Sequence, residues 1–183
     1  MSLTPTILSD GSAFYKELEQ QYVKHDKGLF ILAPSGVGKT HFCSAQQDKH
    51  WIDADELWLA AGAMPPEGVE WWNMGVPIIE QVERRCDVVS ADAVTEGFWF
   101  MGASSYAFKP DAIVVPDWDT HVAQIKHREE NNYDGGMKSH QLDQVKIHIG
   151  IIRRWKEQGV PEFATIQEAV DNLTGSVGSL ESR

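Results

Sequence analysis

Apolar and polar residues follow one another along the chain in blocks that predict strands and helices in alternation. Short continuous apolar runs are typical of strands buried on both faces, and they lie at 28–32 and 112–116. Residues 50–53 and, more weakly, 163–165 are also expected to form strands. Residues 93–97 are expected to form a further strand that ends at Glu96, with 88–89 as its alternative position. Apolar positions at helical spacing predict helices at 12–23, 39–47, 55–61, 76–91, 120–130, 140–158 and 166–173. This alternation indicates an α/β fold around a parallel sheet.

The segment after the first predicted strand carries the strongest chemical signal. Residues 33–40 read Ala-Pro-Ser-Gly-Val-Gly-Lys-Thr, which matches the phosphate-loop pattern G-x-x-x-x-G-K-[ST] except that Ala33 replaces the first glycine. In such a loop, backbone N–H groups surround an anion and the start of the next helix adds positive charge. The replacement matters only if the backbone at Ala33 needs a positive φ. The predicted nucleotide-binding residues of the loop are Ser35, Gly36, Val37, Gly38, Lys39 and Thr40.

With this loop, the chain resembles the P-loop kinase group, which includes nucleoside, nucleotide and polynucleotide kinases. The resemblance covers most of the chain in layout and is specific at the loop and at three further places. These are Asp53 and Asp55 after the second strand, Arg128 before a turn-rich loop, and Arg153 with Arg154 on the next helix. The resemblance implies a three-layer fold with a roughly five-stranded parallel sheet. It also implies one domain over 1–174 with a helical lid at about 126–140, followed by a flexible tail at 175–183.

The resemblance further implies ATP and Mg²⁺ as cofactors and a role for each of these side chains. Lys39 reaches the outer phosphates and the Thr40 hydroxyl ligates Mg²⁺, while Glu96 either holds a magnesium-bound water or is only a strand-end carboxylate. Asp53 or Asp55 is the general base near the acceptor hydroxyl, and either of them can instead cap the following helix.

Arginines of a closing lid stabilise the charge of the transferred phosphoryl group. Arg128 is therefore a candidate catalytic residue. Arg153 and Arg154 point to different sides of their helix, so one of the two is expected to contact the nucleotide.

Aromatic residues near the predicted strand ends supply candidates for the acceptor site. Aromatic side chains stack on nucleobases, and the candidates are Trp71, Trp72, Trp99 and Tyr133, together with Asp55. Stacking on these residues predicts an acceptor that contains a nucleobase. The alternative for most of these aromatic residues is packing in the core.

Charge narrows the choice of partner. The chain has 27 acidic and 16 basic residues, a net charge of −11, which argues against a broad nucleic-acid or membrane-binding surface. Residues 50–83 carry seven acidic and no basic side chains, whereas residues 126–156 carry seven basic and four acidic ones. Any DNA contact is therefore expected in a basic strip that consists of Lys126, Arg128, Lys138, Lys146, Arg153, Arg154 and Lys156.

The same sequence predicts a cytoplasmic protein without a membrane-spanning segment. It has no apolar run of about 18 residues, its start lacks the features of a signal peptide, and its two cysteines are too few for a disulfide scaffold. The function that we expect is ATP-dependent transfer of the γ-phosphoryl group to a hydroxyl of a nucleoside, a nucleotide or a nucleic-acid-linked acceptor, such as a hydroxymethylated pyrimidine in DNA. The alternatives are a small-molecule metabolite kinase and a regulatory module that binds or hydrolyses a nucleoside triphosphate.

Overall fold

The structure, a computed structural model, describes residues 13–66, 68–133 and 135–178. Five parallel strands form one sheet in the order β2-β3-β1-β4-β5. The strands are β1 (Leu29–Leu32), β2 (Trp51–Asp53), β3 (Trp99–Gly102), β4 (Ala112–Val114) and β5 (Glu162–Phe163). The predicted α/β fold with a five-stranded parallel sheet is therefore confirmed.

Parallel strands need long connections, and helices supply them. The described residues form seven α-helices: α1 (Ala13–Gln21), α2 (Lys39–Ala45), α3 (Ala54–Ala60), α4 (Val76–Thr95), α5 (Trp118–Glu130), α6 (Leu142–Arg153) and α7 (Ile166–Gly178). The long helix predicted at 140–158 is α6 with a 3-10 turn at each end. The predicted start of the first helix, Ser12, lies outside the described residues. No helix in the described ranges is long and apolar enough to cross a membrane.

The third strand lies further along the chain than the sequence predicted, because residues 88–95 belong to α4 and Glu96 is its C-terminal cap. Buried residues continue at helical spacing through the whole segment, at Val82, Cys86, Val89 and Ala93. The helix then ends in a Schellman motif, in which Gly97 has a φ of 89° and the N–H of Phe98 donates to the carbonyl of Ala93 at 3.0 Å. Glu96 therefore does not end a strand.

The strand that follows this motif, β3, lies beside β1. The N–H of Leu29 donates to the carbonyl of Phe98 at 3.1 Å. The aromatic residues Phe98, Trp99 and Phe100 are thus part of this buried strand and its approach, rather than of a loop.

The chain divides into two compact units, and the boundary falls within β1 and α2. Unit 1 consists of Met1–Phe30 and Cys43–Lys109, and unit 2 consists of Ile31–Phe42 and Pro110–Arg183. The sequence alone predicted one domain at 1–174. It also predicted a tail from residue 175, but α7 continues to Gly178, and the rest of the predicted tail, 179–183, lies outside the described residues.

Close packing of α3 and α4 with the strands holds unit 1 together. The indole N–H of Trp58 donates to the Ser90 hydroxyl at 3.0 Å, which joins the buried faces of α3 and α4. A Cβ at Gly102 would collide with the ring of Trp58, and one at Gly28 would collide with the backbone of Val94. These glycines allow the helices to lie directly against the strands.

Unit 2 contains the end of β1, the phosphate-loop segment, β4, β5 and three helices. β4 pairs with both of its neighbours, since Ala112 lies opposite Ile31 and Ile113 lies opposite Glu162. The side chain of Glu168 accepts N–H groups of Ala164 and Thr165 at 3.1 Å and so fixes the start of α7. The strand end at Leu32 is thereby built into a buried sheet, and the loop that follows it has a rigid base.

Candidate phosphate-binding site

The loop between β1 and α2 has the backbone that its glycines predict. Gly36 and Gly38 both have a φ of 93°, a region that only glycine adopts readily. Ala33 is not among the positive-φ residues. The alanine that replaces the first glycine of the pattern is therefore not strained, and the sequence deviation has no cost at that position.

The ammonium group of Lys39 lies against this loop. Its Nζ donates to the carbonyl oxygens of Ala33 at 3.1 Å and of Pro34 at 2.9 Å, and the side chain is buried. Val37 is also buried, whereas Gly38 and Thr40 are exposed and a Cβ at Gly38 would meet nothing within 4 Å. The positive charge is held in the loop itself, and the space beside Gly38 is open.

A segment of the predicted lid contacts the loop through Ser35. The N–H of Met137 donates to the Ser35 hydroxyl at 3.1 Å, and Nη2 of Arg128 donates to the carbonyl of Met137. Gly136 has a φ of 72°, and a Cβ there would collide with Ser35 and with the Arg128 guanidinium. The structure therefore brings together two of the predicted site residues, Ser35 and Arg128.

The Arg128 guanidinium is half-buried, and its Nε has no partner among the described residues. It lies 5.4 Å from the centre of the Tyr133 ring, which is itself 43% exposed. Burial lowers the pKa of Arg128, although an arginine stays charged. A buried cation with an unused donor is stabilised when an anion binds beside it.

The electrostatics of the site are dominated by positive charge. The pKa of His121, which is fully buried on α5, is lowered first by burial and also by the charges of Lys39 and Arg128. A hydrogen bond between its Nε2 and the carbonyl of Ser35, at 2.7 Å, acts in the opposite direction. The charges of Lys39 and Arg128 therefore both act on His121 beside the loop. Nothing in the sequence pattern distinguishes His121 from the other histidines.

The two predicted acceptor carboxylates lie in unit 1 and differ in role. Oδ1 of Asp53 accepts the N–H of Asp55 at 3.1 Å and caps α3. Asp55 is exposed in the first turn of that helix. The capping alternative thus applies to Asp53.

The predicted aromatic acceptor residues are mostly buried. Trp99 is 8% exposed, stacks on His25 with ring centres 3.5 Å apart, and donates its indole N–H to the carbonyl of Lys27 at 2.8 Å. This supports the core-packing alternative for Trp99, because both its face and its donor are used. Trp71 and Trp72 contact each other edge to face, and their indole nitrogens are buried without a partner in the described part of the chain.

Glu96 forms an ion pair with a lysine. Its Oε2 pairs with Nζ of Lys24 at 3.0 Å in unit 1. The described residues contain no group of three or more histidine, cysteine or acidic side chains arranged to hold a metal ion. Of the two residues predicted to act on Mg²⁺, Glu96 forms this ion pair, and Thr40 is exposed at the second position of α2.

The two arginines at the end of α6 also have local contacts. Arg153 pairs with Glu162 at 3.2 Å, and Lys156 pairs with the same carboxylate at 3.4 Å. The Arg154 guanidinium lies 5.2 Å from the centre of the Trp155 ring. Arg153 and Lys156 share one neutralising carboxylate, so this end of the basic strip carries less net charge than its sequence suggests.

No protein-family model matches the chain, and no curated protein matches its sequence.

Proposed function

We propose that the chain is an ATP-dependent phosphotransferase that moves the γ-phosphoryl group of ATP to a hydroxyl of a nucleobase-containing acceptor. The observation that carries the proposal is the loop at 33–40, in which two positive-φ glycines and the buried Lys39 follow a strand of a parallel sheet. Arg128, which contacts the segment bonded to Ser35, supplies a second cation from the lid. Phosphoryl transfer depends mainly on such positioning and charge neutralisation.

Each loop group has a role in this proposal. The backbone N–H groups after Ser35 bind the phosphates, Lys39 neutralises the outer phosphates, and the Thr40 hydroxyl holds Mg²⁺. The metal supplies charge neutralisation at the phosphate oxygens. Arg128 leaves the carbonyl of Met137 or adds its unused Nε to stabilise charge on the transferred group, and its lid position excludes water.

For the acceptor side we assign the general base to Asp55. An oxygen of Asp53 already accepts the cap hydrogen bond of α3, whereas Asp55 is exposed in the first helical turn. A carboxylate can accept the proton of a hydroxyl as that hydroxyl attacks the γ-phosphorus. The assignment leaves Asp53 to orient the start of the helix that carries the base.

The acceptor is a nucleoside, a nucleotide or a modified base within DNA. The acceptor candidates that remain are Trp71, Trp72 and Tyr133, because the ring face and the indole N–H of Trp99 are both engaged in the core. Contact with DNA would be limited to the part of the basic strip that has exposed charge, such as Lys126. A metabolite hydroxyl or water as the acceptor would correspond to the two alternative functions.

Transfer from γ-labelled ATP distinguishes these functions. We expect Mg²⁺-dependent label in a nucleoside, a nucleotide, an oligonucleotide or DNA that contains hydroxymethylpyrimidine. Label found only in free phosphate would favour the regulatory hydrolase, and label only in metabolites without a base would favour the metabolite kinase. Absence of both transfer and ATP binding would refute the proposal.

A further inference from the structure

A histidine outside the predicted site lies against the phosphate loop. His121, in the first turn of α5, is 0% exposed, and its Nε2 lies 2.7 Å from the carbonyl oxygen of Ser35. Because a carbonyl oxygen can only accept a hydrogen bond, Nε2 must carry the proton. Nδ1 is then the unprotonated nitrogen, and it has no partner among the described residues.

This contact fixes the backbone at the point where the anion-binding N–H groups begin. The peptide between Ser35 and Gly36 is planar and trans, so its C=O and N–H point in opposite directions. A carbonyl held by His121 therefore turns the N–H of Gly36 away from α5. A Cβ at Gly36 would lie 2.7 Å from Cγ1 of Ile125 and 3.4 Å from Nε2 of His121. The side chain of Ile125, together with the φ of 93°, therefore favours glycine at this position.

We propose that His121 is a positioning residue of the phosphate loop, which holds the Ser35 carbonyl so that the N–H of Gly36 faces a bound polyphosphate. This inference rests on the proposed function. Burial and the nearby charges of Lys39 and Arg128 favour the neutral imidazole. Neutral histidine supplies one donor here and adds no third cation beside Lys39 and Arg128, so the loop keeps its shape before an anion arrives.

The test is MgATP binding by the full chain, measured by titration calorimetry together with thermal melting. His121→Leu removes the donor, and we expect ATP binding about tenfold weaker, because the Ser35 carbonyl is no longer held and the N–H of Gly36 loses its fixed direction. His121→Gln keeps a donor near the same place, and we expect binding within about threefold of the wild type. His127→Gln changes an exposed histidine on the same helix and serves as the matched control.

Equal ATP affinity in the wild type and His121→Leu would overturn the inference and leave the proposed function intact. A wild-type chain that binds no ATP would remove both. The tautomer gives an independent test that needs no variant to fold: nitrogen NMR of the wild type should find the His121 proton on Nε2. A proton on Nδ1 would overturn the inference whatever the binding data.

Discussion

The candidate catalytic and metal-binding side chains of unit 1 and the polar groups around the phosphate loop of unit 2 differ in how completely they are paired. In unit 1, Asp53 caps α3, the Tyr22 hydroxyl donates to Glu56 at 2.7 Å, and Glu96 pairs with Lys24. Around the phosphate loop of unit 2, Nε of Arg128 and Nδ1 of His121 are buried without partners in the described ranges. Polar groups that satisfy one another need no ligand, whereas buried groups without partners lower the stability of the fold until something binds.

We therefore place the proposed ligand-dependent chemistry at the loop. In unit 1, three of the six candidate side chains, Asp53, Glu96 and Trp99, stabilise the unit itself. Burial together with the Glu56 carboxylate raises the pKa of Tyr22. Variants that separate catalysis from stability test this contrast.

Lys39→Ala has the largest expected effect. It removes the charge that neutralises the outer phosphates, and we expect phosphoryl transfer to fall by roughly 10²-fold or more. The measurement is transfer from γ-labelled ATP. Lys27→Ala, at an exposed lysine of unit 1, is the control and should keep full activity with a similar melting temperature. Undiminished transfer by Lys39→Ala would remove the loop from the mechanism.

Asp55→Asn and Asp53→Asn separate the base from the cap. Asparagine caps a helix about as well as aspartate, so Asp53→Asn should preserve stability and most of the activity. Asp55→Asn should lower kcat by roughly 10²-fold and leave ATP affinity unchanged. Steady-state kinetics with varied ATP gives both values. A larger loss of kcat in Asp53→Asn than in Asp55→Asn would reverse the assignment.

The phosphate loop, Glu96 and His121 show how much of the site the sequence could predict. The loop was readable because Gly36, Gly38 and Lys39 act through backbone shape and one charge, and both are set by local residue types. The strand predicted at 93–97, with Glu96 at its end, was wrong because a stretch with β-branched residues resembles a strand. This segment is helical because α4 buries one face, and that burial depends on tertiary packing. His121 gave no signal, since its contact with Ser35 joins residues far apart in the chain.

Trp99 and Asp53 illustrate a related limit. Stacking on His25 and capping of α3 are both common structural uses of residue types that also bind substrates. Only the tertiary structure shows which use applies at each position.

Gly136→Ala tests the contact between lid and loop. The added Cβ would collide with Ser35 and Arg128, and alanine tolerates the positive φ poorly. We expect kcat/KM for ATP to fall by roughly tenfold, because a displacement of about 1 Å can cost even more than that. Gly150→Ala, where a Cβ meets nothing within 4 Å, is the control and should retain activity. Equal activity in the two variants would show that the contact between the lid and Ser35 is not needed for activity.

Glu96→Gln is expected to have a small effect. The ion pair with Lys24 is exposed, and pairs of this kind contribute about 0–1 kcal/mol. The dependence of transfer on Mg²⁺ concentration should not change, and urea unfolding should show at most a slight loss of stability. A clear rise in the Mg²⁺ requirement would restore Glu96 to the metal site and weaken the contrast between the units.

The smallest expected effect is a dependence of unit 1 on pH through His25. Burial lowers the pKa of His25, the neighbouring His50 lowers it further, and Asp26 acts in the opposite direction. A histidine whose pKa is lower in the folded state stabilises the fold above its unfolded pKa of about 6.5 and loses that contribution as the pH falls below it. The melting temperature should therefore drop between about pH 7.5 and 5.5, and the drop should be smaller in His25→Gln than in the exposed control His127→Gln. His121, whose pKa is lowered in the same direction, should contribute to the slope that remains in His25→Gln. If saturating MgATP reduces the slope that remains in His25→Gln and leaves the His25 contribution unchanged, the ligand acts on the loop region alone. If MgATP changes neither contribution, the two regions do not differ in how completely their polar groups are paired.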